Sequence, residues 1–226
     1  IKKEKEFIIF NFDKEISNKN LEYFNKLIHQ RARGEPIAYL IKKKYFWKYQ
    51  FSVNRDVLIP RPDTEIIIEQ VLKITKFRPK LRVLDIGIGS GCMLLSVLKE
   101  KKDFRGVGID ISKKSVEISK LNALNLSLSH RVKIFKTNVD NFNYGKYDLI
   151  ISNPPYIKKL DLKYLDKDVI NFEPKLALSG GLDGTSKISK VINKSSELIK
   201  KKGFLIIEIG FDQKNNVKKI LSEKGF

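Results

Sequence analysis

The sequence predicts an α/β fold built on a parallel sheet with helices on both faces, and three features predict it. Short apolar strands alternate with helix-length runs from Leu81 to Ile209, a rhythm that makes successive strands parallel and requires a crossover helix between them. A glycine-rich turn, Asp85-Ile86-Gly87-Ile88-Gly89-Ser90-Gly91, lies where the first of these strands hands over to its helix. A proline-stiffened segment, Asn153-Pro154-Pro155-Tyr156, directly follows a near-continuous apolar strand, the pattern of a strand buried on both faces.

Taken in order, Leu21, Phe24, Leu27 and Ile28 recur at helical spacing and predict a helix over 19–33, stopped by Gly34-Glu35-Pro36. Aromatic and β-branched residues from Tyr45 to Ile59 predict a β-hairpin with its turn at Asn54-Arg55-Asp56. Pro60-Arg61-Pro62 breaks that pattern, and Asp63-Thr64-Glu65 opens a helix running from Ile66 to Ile74, with Asp63 or Thr64 as N-cap. There follow a strand over 81–86, a helix over 92–100, a strand over 106–109, a helix over 113–124, and strands over 132–135 and 147–152. A loop-rich stretch, 154–184, precedes a helix over 186–200 and a strand over 204–209. The expected organisation is an N-terminal helical segment (1–40), a hairpin linker (41–59) and a catalytic domain (60–226).

With 226 residues and 42% hydrophobic content the chain can bury one sizeable core. No apolar run approaches the roughly 20 residues of a membrane span, and no signal-peptide core follows the basic start Ile1-Lys2-Lys3-Glu4-Lys5-Glu6. The single cysteine, Cys92, rules out an internal disulfide, so a cytoplasmic setting is expected. The net charge of +19 points towards acidic partners such as nucleic acid. Against that, lysines outnumber arginines and are spread along the whole chain, which reads as a solvated surface bias; direct nucleic-acid binding is compatible with the chain and not required by it.

The glycine turn has the context of a cofactor loop: glycines let the backbone turn sharply and approach a ligand with no Cβ in the way. Its close spacing, with Asp85 at the strand end, resembles the S-adenosylmethionine loop of Rossmann-like methyltransferases more than a dinucleotide fingerprint, and no Gly-Lys-Ser/Thr follows to make a P-loop. Asp110, ending the next strand, is placed to accept both ribose hydroxyls. Asn138 is expected beside the adenine amino group through its side-chain oxygen, with Val139 packing against the ring.

Asn153-Pro154-Pro155-Tyr156 supplies what a conjugated NH2 group needs. The lone pair of an amide or aromatic amine is delocalised, so methylation calls for two neutral acceptors, the Asn153 side-chain oxygen and the Pro154 carbonyl, to hold its two N–H groups. The prolines stiffen the loop and Tyr156 offers a flat face to the target group. No strong base is required, since the proton leaves easily after transfer. His29 and His130 lie far from these motifs, Trp47 is expected to pack in the hairpin, and no Cys/His cluster suggests a metal. Cys92 is read as a packed small residue whose pKa a helix N-terminus would lower.

On these residues the chain resembles the HemK/PrmC family, the N5-glutamine methyltransferases of peptide chain release factors. Arg33-Gly34-Glu35-Pro36-Ile37-Ala38-Tyr39, the run from Phe46-Trp47 through Val57-Leu58-Ile59-Pro60-Arg61-Pro62-Asp63-Thr64-Glu65, and Phe172-Glu173-Pro174 with Ala177-Leu178 carry the likeness. The resemblance implies that Gly87, Ile88, Gly89, Ser90, Gly91, Asp110, Val139 and Asn153 contact S-adenosylmethionine. It also implies that Asn153, Pro154, Pro155 and Tyr156 hold the glutamine of a release factor's Gly-Gly-Gln motif. Ile88 and Val139 depart from the family's commoner choices. Measured against the family, and with Ile rather than Met in first place, the chain is expected to be a fragment with a shortened helical N-terminus and without the last two strands. Two alternatives stay open: a ribosomal-protein glutamine methyltransferase, expected to lack the Pro-Asp-Thr after Pro60-Arg61, and a nucleobase amino methyltransferase, which the charge favours.

Overall fold

The computed structural model describes residues 5–226; Ile1–Glu4, within the basic start noted above, lie outside them. Helix α1 (Lys5–Ile9) is followed by α2 (Asn18–Ala32), which matches the helical spacing of its apolar residues although none of them is buried. A short helix, α3 (Ile37–Leu40), leads into a two-stranded hairpin, β1 (Lys43–Phe46) and β2 (Tyr49–Ser52). The hairpin departs from the sequence expectation: it turns at Trp47-Lys48, with Trp47 in the left-handed region at φ 56°, and is over before Asn54-Arg55-Asp56. The aromatic run from Tyr45 to Ile59 therefore contains a tight hairpin and then an extended segment, whose Val53, Val57 and Ile59 are buried with Tyr39. Trp47 is fastened at both ends, its backbone N–H to Glu65 Oε1 (2.8 Å) and its indole N–H to Glu100 Oε1 (2.9 Å).

Pro62–Thr64 form one 3-10 turn before α4 (Glu65–Ile74), and neither Asp63 nor Thr64 caps the helix through its side chain. Five parallel strands follow: β3 (Arg82–Ile86), β4 (Arg105–Asp110), β5 (Val132–Lys136), β6 (Tyr147–Ser152) and, last, the strand Ile199–Ile207. Helices α5 (Cys92–Glu100) and α6 (Lys113–Asn125) connect the first three. The stretch expected as loop holds two short parallel strands, β7 (Ile157–Lys158) and β8 (Ser179–Gly181), around α7 (Lys167–Phe172). Helix α8 (Ser186–Leu198) ends two residues earlier than its periodicity suggests, because the final strand β9 (Ile199–Ile207) already pairs at Ile199; α9 (Lys214–Glu223) closes the described chain.

Sheet order is β5-β4-β3-β6-β9. Period-two alternation sorts the central strands: Val83, Leu149 and Ile151 face α4, α5 and α6, while Leu84, Ile86 and Ile150 face α8. On the first face β4 presents Gly106 and Gly108, which lets α5 and the glycine turn settle onto the sheet. A Cβ at Gly106 would come within 2.9 Å of Leu94 Cδ1, and one at Gly108 would overlap Ile88 Cδ1 outright. Ile88 thus owes its buried seat to the missing side chain at Gly108.

Replacing Gly108 by Ala is expected to cost about 1–3 kcal/mol of stability through overpacking against Ile88. In a urea-unfolding double-mutant cycle, Ile88→Ala should absorb much of that cost, giving a coupling on the order of 1 kcal/mol. Strictly additive losses would show that the two residues do not compete for one space.

Candidate active site

Chain order and sheet order disagree at one place. From β3 the chain steps outward through β4 to β5, then returns to lay β6 on the other side of β3. The connections leaving β3 and β6 therefore diverge and leave a crevice beyond the strand ends, the usual ligand position in an open α/β sheet. Asp85 pairs with Ile151 in register, and the Ser152 hydroxyl donates to Ile86 O at 2.6 Å, so the glycine turn and Asn153 start side by side.

Gly87, Gly89 and Gly91 all have positive φ (80°, 54° and 84°), a conformation strained for residues with a Cβ. Gly87 and Ile88 donate their N–H groups to Ile109 O, both at 2.9 Å, and Gly89 donates to Asp110 Oδ2 at 3.0 Å. Ser112 N–H donates to Asp110 Oδ1 at 2.8 Å. Each Asp110 oxygen therefore holds one backbone amide and keeps lone-pair capacity for another donor. Burial raises the Asp110 pKa above the ordinary carboxylate value, and these amides counter the shift. From below, buried Asn122 of α6 clamps the turn to the hairpin: its Nδ2 donates to Ser90 O (2.8 Å) and Ser52 O (3.0 Å), and its Oδ1 accepts from Ser52 N–H (2.7 Å).

Above the turn lies a cavity of ≈ 270 Å³. Of the expected cofactor residues, Gly87, Ile88, Gly89, Ser90, Asp110, Asn138, Val139 and Asn153 line it. Asp85 and Gly91 do not. Gly91 faces the other way, where a Cβ would meet Leu95 Cδ1 at 2.9 Å. Asp85 is wholly buried on the α5 side, and neither of its oxygens has a hydrogen-bond partner among the described residues. Burial pushes its pKa up to about 8; the Leu94 amide offsets part of that shift without closing a hydrogen bond, and the Asp110 charge adds to it. The side-chain oxygen of Asn138 is already engaged, accepting Asp140 N–H (3.1 Å) at the start of the 3-10 turn Val139–Asn141. Cys92 also lines the cavity, and the expected lowering of its pKa is reversed: burial pushes the thiol up to about 12.

A second cavity of ≈ 470 Å³ adjoins the first, and Asn153, Pro154 and Pro155 line both; Tyr156 lines only the second. Asn153 Nδ2 donates to Thr64 Oγ1 (3.1 Å), leaving its Oδ1 without a donor among the described residues, as is Pro154 O. Tyr156 donates its hydroxyl proton to Glu208 Oε1 (3.1 Å); burial, then the Glu208 charge, raise the phenol to about 12. Behind this loop the backbone is packed too closely for side chains. A Cβ at Gly180 would lie 2.8 Å from Pro155 O, one at Gly184 would lie 2.6 Å from Tyr156 O, and Gln213 Nε2 donates to Tyr156 O at 2.9 Å. The outer wall comes from the segment after the hairpin, where Arg61 pairs with buried Glu173 (2.5 Å), whose other oxygen accepts Ile59 N–H (3.2 Å). His29 and His130 are exposed and line neither cavity.

Sequence reading did not identify Glu208, Gln213 or the cavity-lining Asp56, Leu58 and Lys187 as site residues. For Glu208 a signal existed: it is the carboxylate at the C-terminal end of the apolar strand that pairs with β6. Among the described residues no group of His, Cys, Asp and Glu side chains is arranged to hold a metal, and no helix is long and apolar enough to cross a membrane.

A five-stranded parallel sheet with a glycine cradle at its switch point, opening through Asn-Pro-Pro into a second cavity, defines a Rossmann-like methyltransferase domain. Residues 63–208 match the Methyltransferase small domain family, and residues 1–41 match the PrmC N-terminal domain family. The release factor glutamine methyltransferase of Caulobacter vibrioides is 36% identical over 213 residues, covering 94% of this chain and 74% of that protein. That of Clostridium acetobutylicum is 37% identical over 229 residues, covering 100% and 80%. The chain belongs to the release factor glutamine methyltransferase family. Among solved structures, a ribosomal protein L11 methylase from Lactobacillus delbrueckii subsp. bulgaricus shares the fold, with a TM-score of 0.55 at 19% identity over 80% of this chain and 79% of that one.

A buried carboxyl with a raised pKa keeps its proton in the folded state to about pH 8, whereas the unfolded chain releases it near 3.8. Stability tied to Asp85 is therefore full below about pH 4 and is lost as pH rises through about 8. Relative to wild type, Asp85→Asn should gain on the order of a few kcal/mol between pH 5 and pH 9 in urea unfolding. A difference independent of pH would show that Asp85 is not buried as a neutral acid.

Proposed function

We propose that this chain transfers a methyl group from S-adenosylmethionine to the side-chain amide nitrogen of the glutamine in the Gly-Gly-Gln motif of peptide chain release factors. The supporting observation is the shared wall: Asn153, Pro154 and Pro155 border both the glycine-cradle cavity and the second cavity, and the two acceptors an amide NH2 requires have no donor there among the described residues.

The residues of the first cavity fit the cofactor. At Gly87 a Cβ would meet no atom within 4 Å, so that part of the cradle faces open space, and Asp110 retains acceptor capacity suited to a ribose diol. Val139 lines the same cavity beside Asn138, an apolar surface for a base. Gly87, Gly89, Asp110, Val139 and Asn153 are the residues that would hold it; when bound, it supplies an electrophilic methyl group on a sulfonium. Everything else is positioning by the chain. Asn153 Oδ1 and Pro154 O take the two amide N–H groups, which draws electron density back onto the nitrogen and leaves its lone pair as the free, reactive part of the group. Positive charge that develops on nitrogen is stabilised by the same two oxygens. Forming the new N–C bond makes the nitrogen acidic, and its surplus proton passes to solvent, so no side chain acts as a strong base.

With radiolabelled S-adenosylmethionine, label should enter a release factor and should not enter its Gly-Gly-Gln Gln→Ala variant, ribosomes or total RNA. Label in RNA, or in the Gln→Ala variant, would overturn the assignment. Asn153→Ala should abolish turnover while leaving cofactor affinity within roughly tenfold, as expected for lost transition-state positioning. Unchanged turnover would refute the role given to Asn153.

A further inference from the structure

An asparagine amide is a reversible tool. Rotated by half a turn about its last bond it presents NH2 where it had presented oxygen, and an NH2 facing the NH2 of a substrate amide repels it. Asn153 must therefore be held in one sense, and neither proline beside it can do so.

The structure supplies a chain of hydrogen bonds with a fixed direction. Glu208 stands at the end of β9, its N–H donating to Ser152 O at 3.0 Å, so its carboxylate is registered against the end of β6. An ionised carboxylate only accepts. Thr64 Oγ1 donates to Glu208 Oε2 at 2.7 Å, which commits its single proton. The threonine oxygen is then left as an acceptor, and Asn153 Nδ2 donates to it at 3.1 Å. The remaining Glu208 oxygen accepts the Tyr156 hydroxyl at 3.1 Å. Thr64 is buried, and its backbone is fixed by the 3-10 turn Pro62–Thr64, its N–H donating to Arg61 O at 3.2 Å. None of these side-chain bonds joins residues of the same element: the relay ties the turn before α4, the end of β6 and the end of β9 together.

We infer that Glu208 and Thr64 are positioning residues that set the polarity of Asn153, with Glu208 also anchoring Tyr156. The negative end of the relay lies at Glu208 and its output is the free Asn153 Oδ1. This also gives the Pro-Asp-Thr that follows Pro60-Arg61 a chemical purpose: its threonine is the adaptor between a carboxylate and an amide, a part that alanine or valine cannot play. The inference deepens the amide-acceptor reading and rests on it.

Its test compares wild type with Thr64→Val, Thr64→Ser and Glu208→Gln in the full chain. Thr64→Val keeps the shape and removes the hydroxyl. It should lower kcat on a release factor by on the order of 10²-fold through misorientation of the amide. Affinity for S-adenosylhomocysteine, measured calorimetrically, should stay within about threefold, and Thr64→Ser should recover most of the lost kcat. Glu208→Gln should fall between wild type and Thr64→Val, since a glutamine can accept from only one of the two hydroxyls; it also serves as the second variant should Thr64→Val fold poorly. Independently of any acceptor, the 15N-labelled Asn153 side-chain amide should exchange its hydrogens slowly in wild type and Thr64→Ser, and quickly in Thr64→Val. Undiminished kcat in Thr64→Val, or kcat lost only in step with cofactor affinity, would overturn the relay. So would an Asn153 amide signal unaltered by Thr64→Val. Wild-type protein inert towards a release factor would instead overturn the proposed substrate, and the amide signal would still decide the relay.

Discussion

Two strand ends meeting at one point carry the whole site. β3 and β6 are hydrogen-bonded neighbours in the sheet yet far apart in sequence, and the register that sets Asp85 against Ile151 makes them finish together. The Ser152–Ile86 hydrogen bond secures that finish. From it the chain leaves in two directions, through glycines that cradle and through prolines that stiffen. A parallel sheet imposes this arrangement because every strand must be re-entered from the same end, so all exits open on one side. A slip of one residue between β3 and β6 would turn the core-facing residues of the slipped strand to the opposite face and shift Asn153 away from the cofactor cradle.

Around that point the remaining walls are borrowed from elements distant in sequence, and each is fastened by hydrogen bonds rather than by apolar contact alone. Asn122 ties the hairpin to the glycine turn, Glu100 takes the Trp47 indole, and Glu173 receives both Arg61 and the Ile59 amide. Glu173 is buried, so its pairing with Arg61 answers a charge that would otherwise be costly to enclose. The effect is to make Leu58 and Arg61 of the extended segment after the hairpin, together with Ala177, shared boundaries of the two cavities.

Much of the architecture was legible because it rests on local rules. Strand and helix alternation from Leu81 onward reports burial period directly, and glycines at positions needing positive φ mark the turn. The hairpin turn was misplaced because Asn54-Arg55-Asp56 has turn chemistry, whereas Trp47, a residue that rarely adopts positive φ, is held there by Glu65 and Glu100 from elsewhere in the chain. For Cys92 and Asp85 a helix N-terminus or a strand end is visible in sequence, but the desolvation that raises both pKa values is created by tertiary packing and is not. Glu208 and Gln213 escaped notice because their partners, Thr64 and Tyr156, are brought to them only by the sheet and by α9.

The site is arranged for one chemical outcome, a methyl group placed on an amide nitrogen by positioning alone. Fragmentation mass spectrometry of a release factor after incubation with this chain and S-adenosylmethionine tests it most directly. One added methyl is expected, carried on the side-chain nitrogen of the glutamine in the Gly-Gly-Gln peptide. A methyl found on any other residue, or on an oxygen or a basic nitrogen, would contradict it.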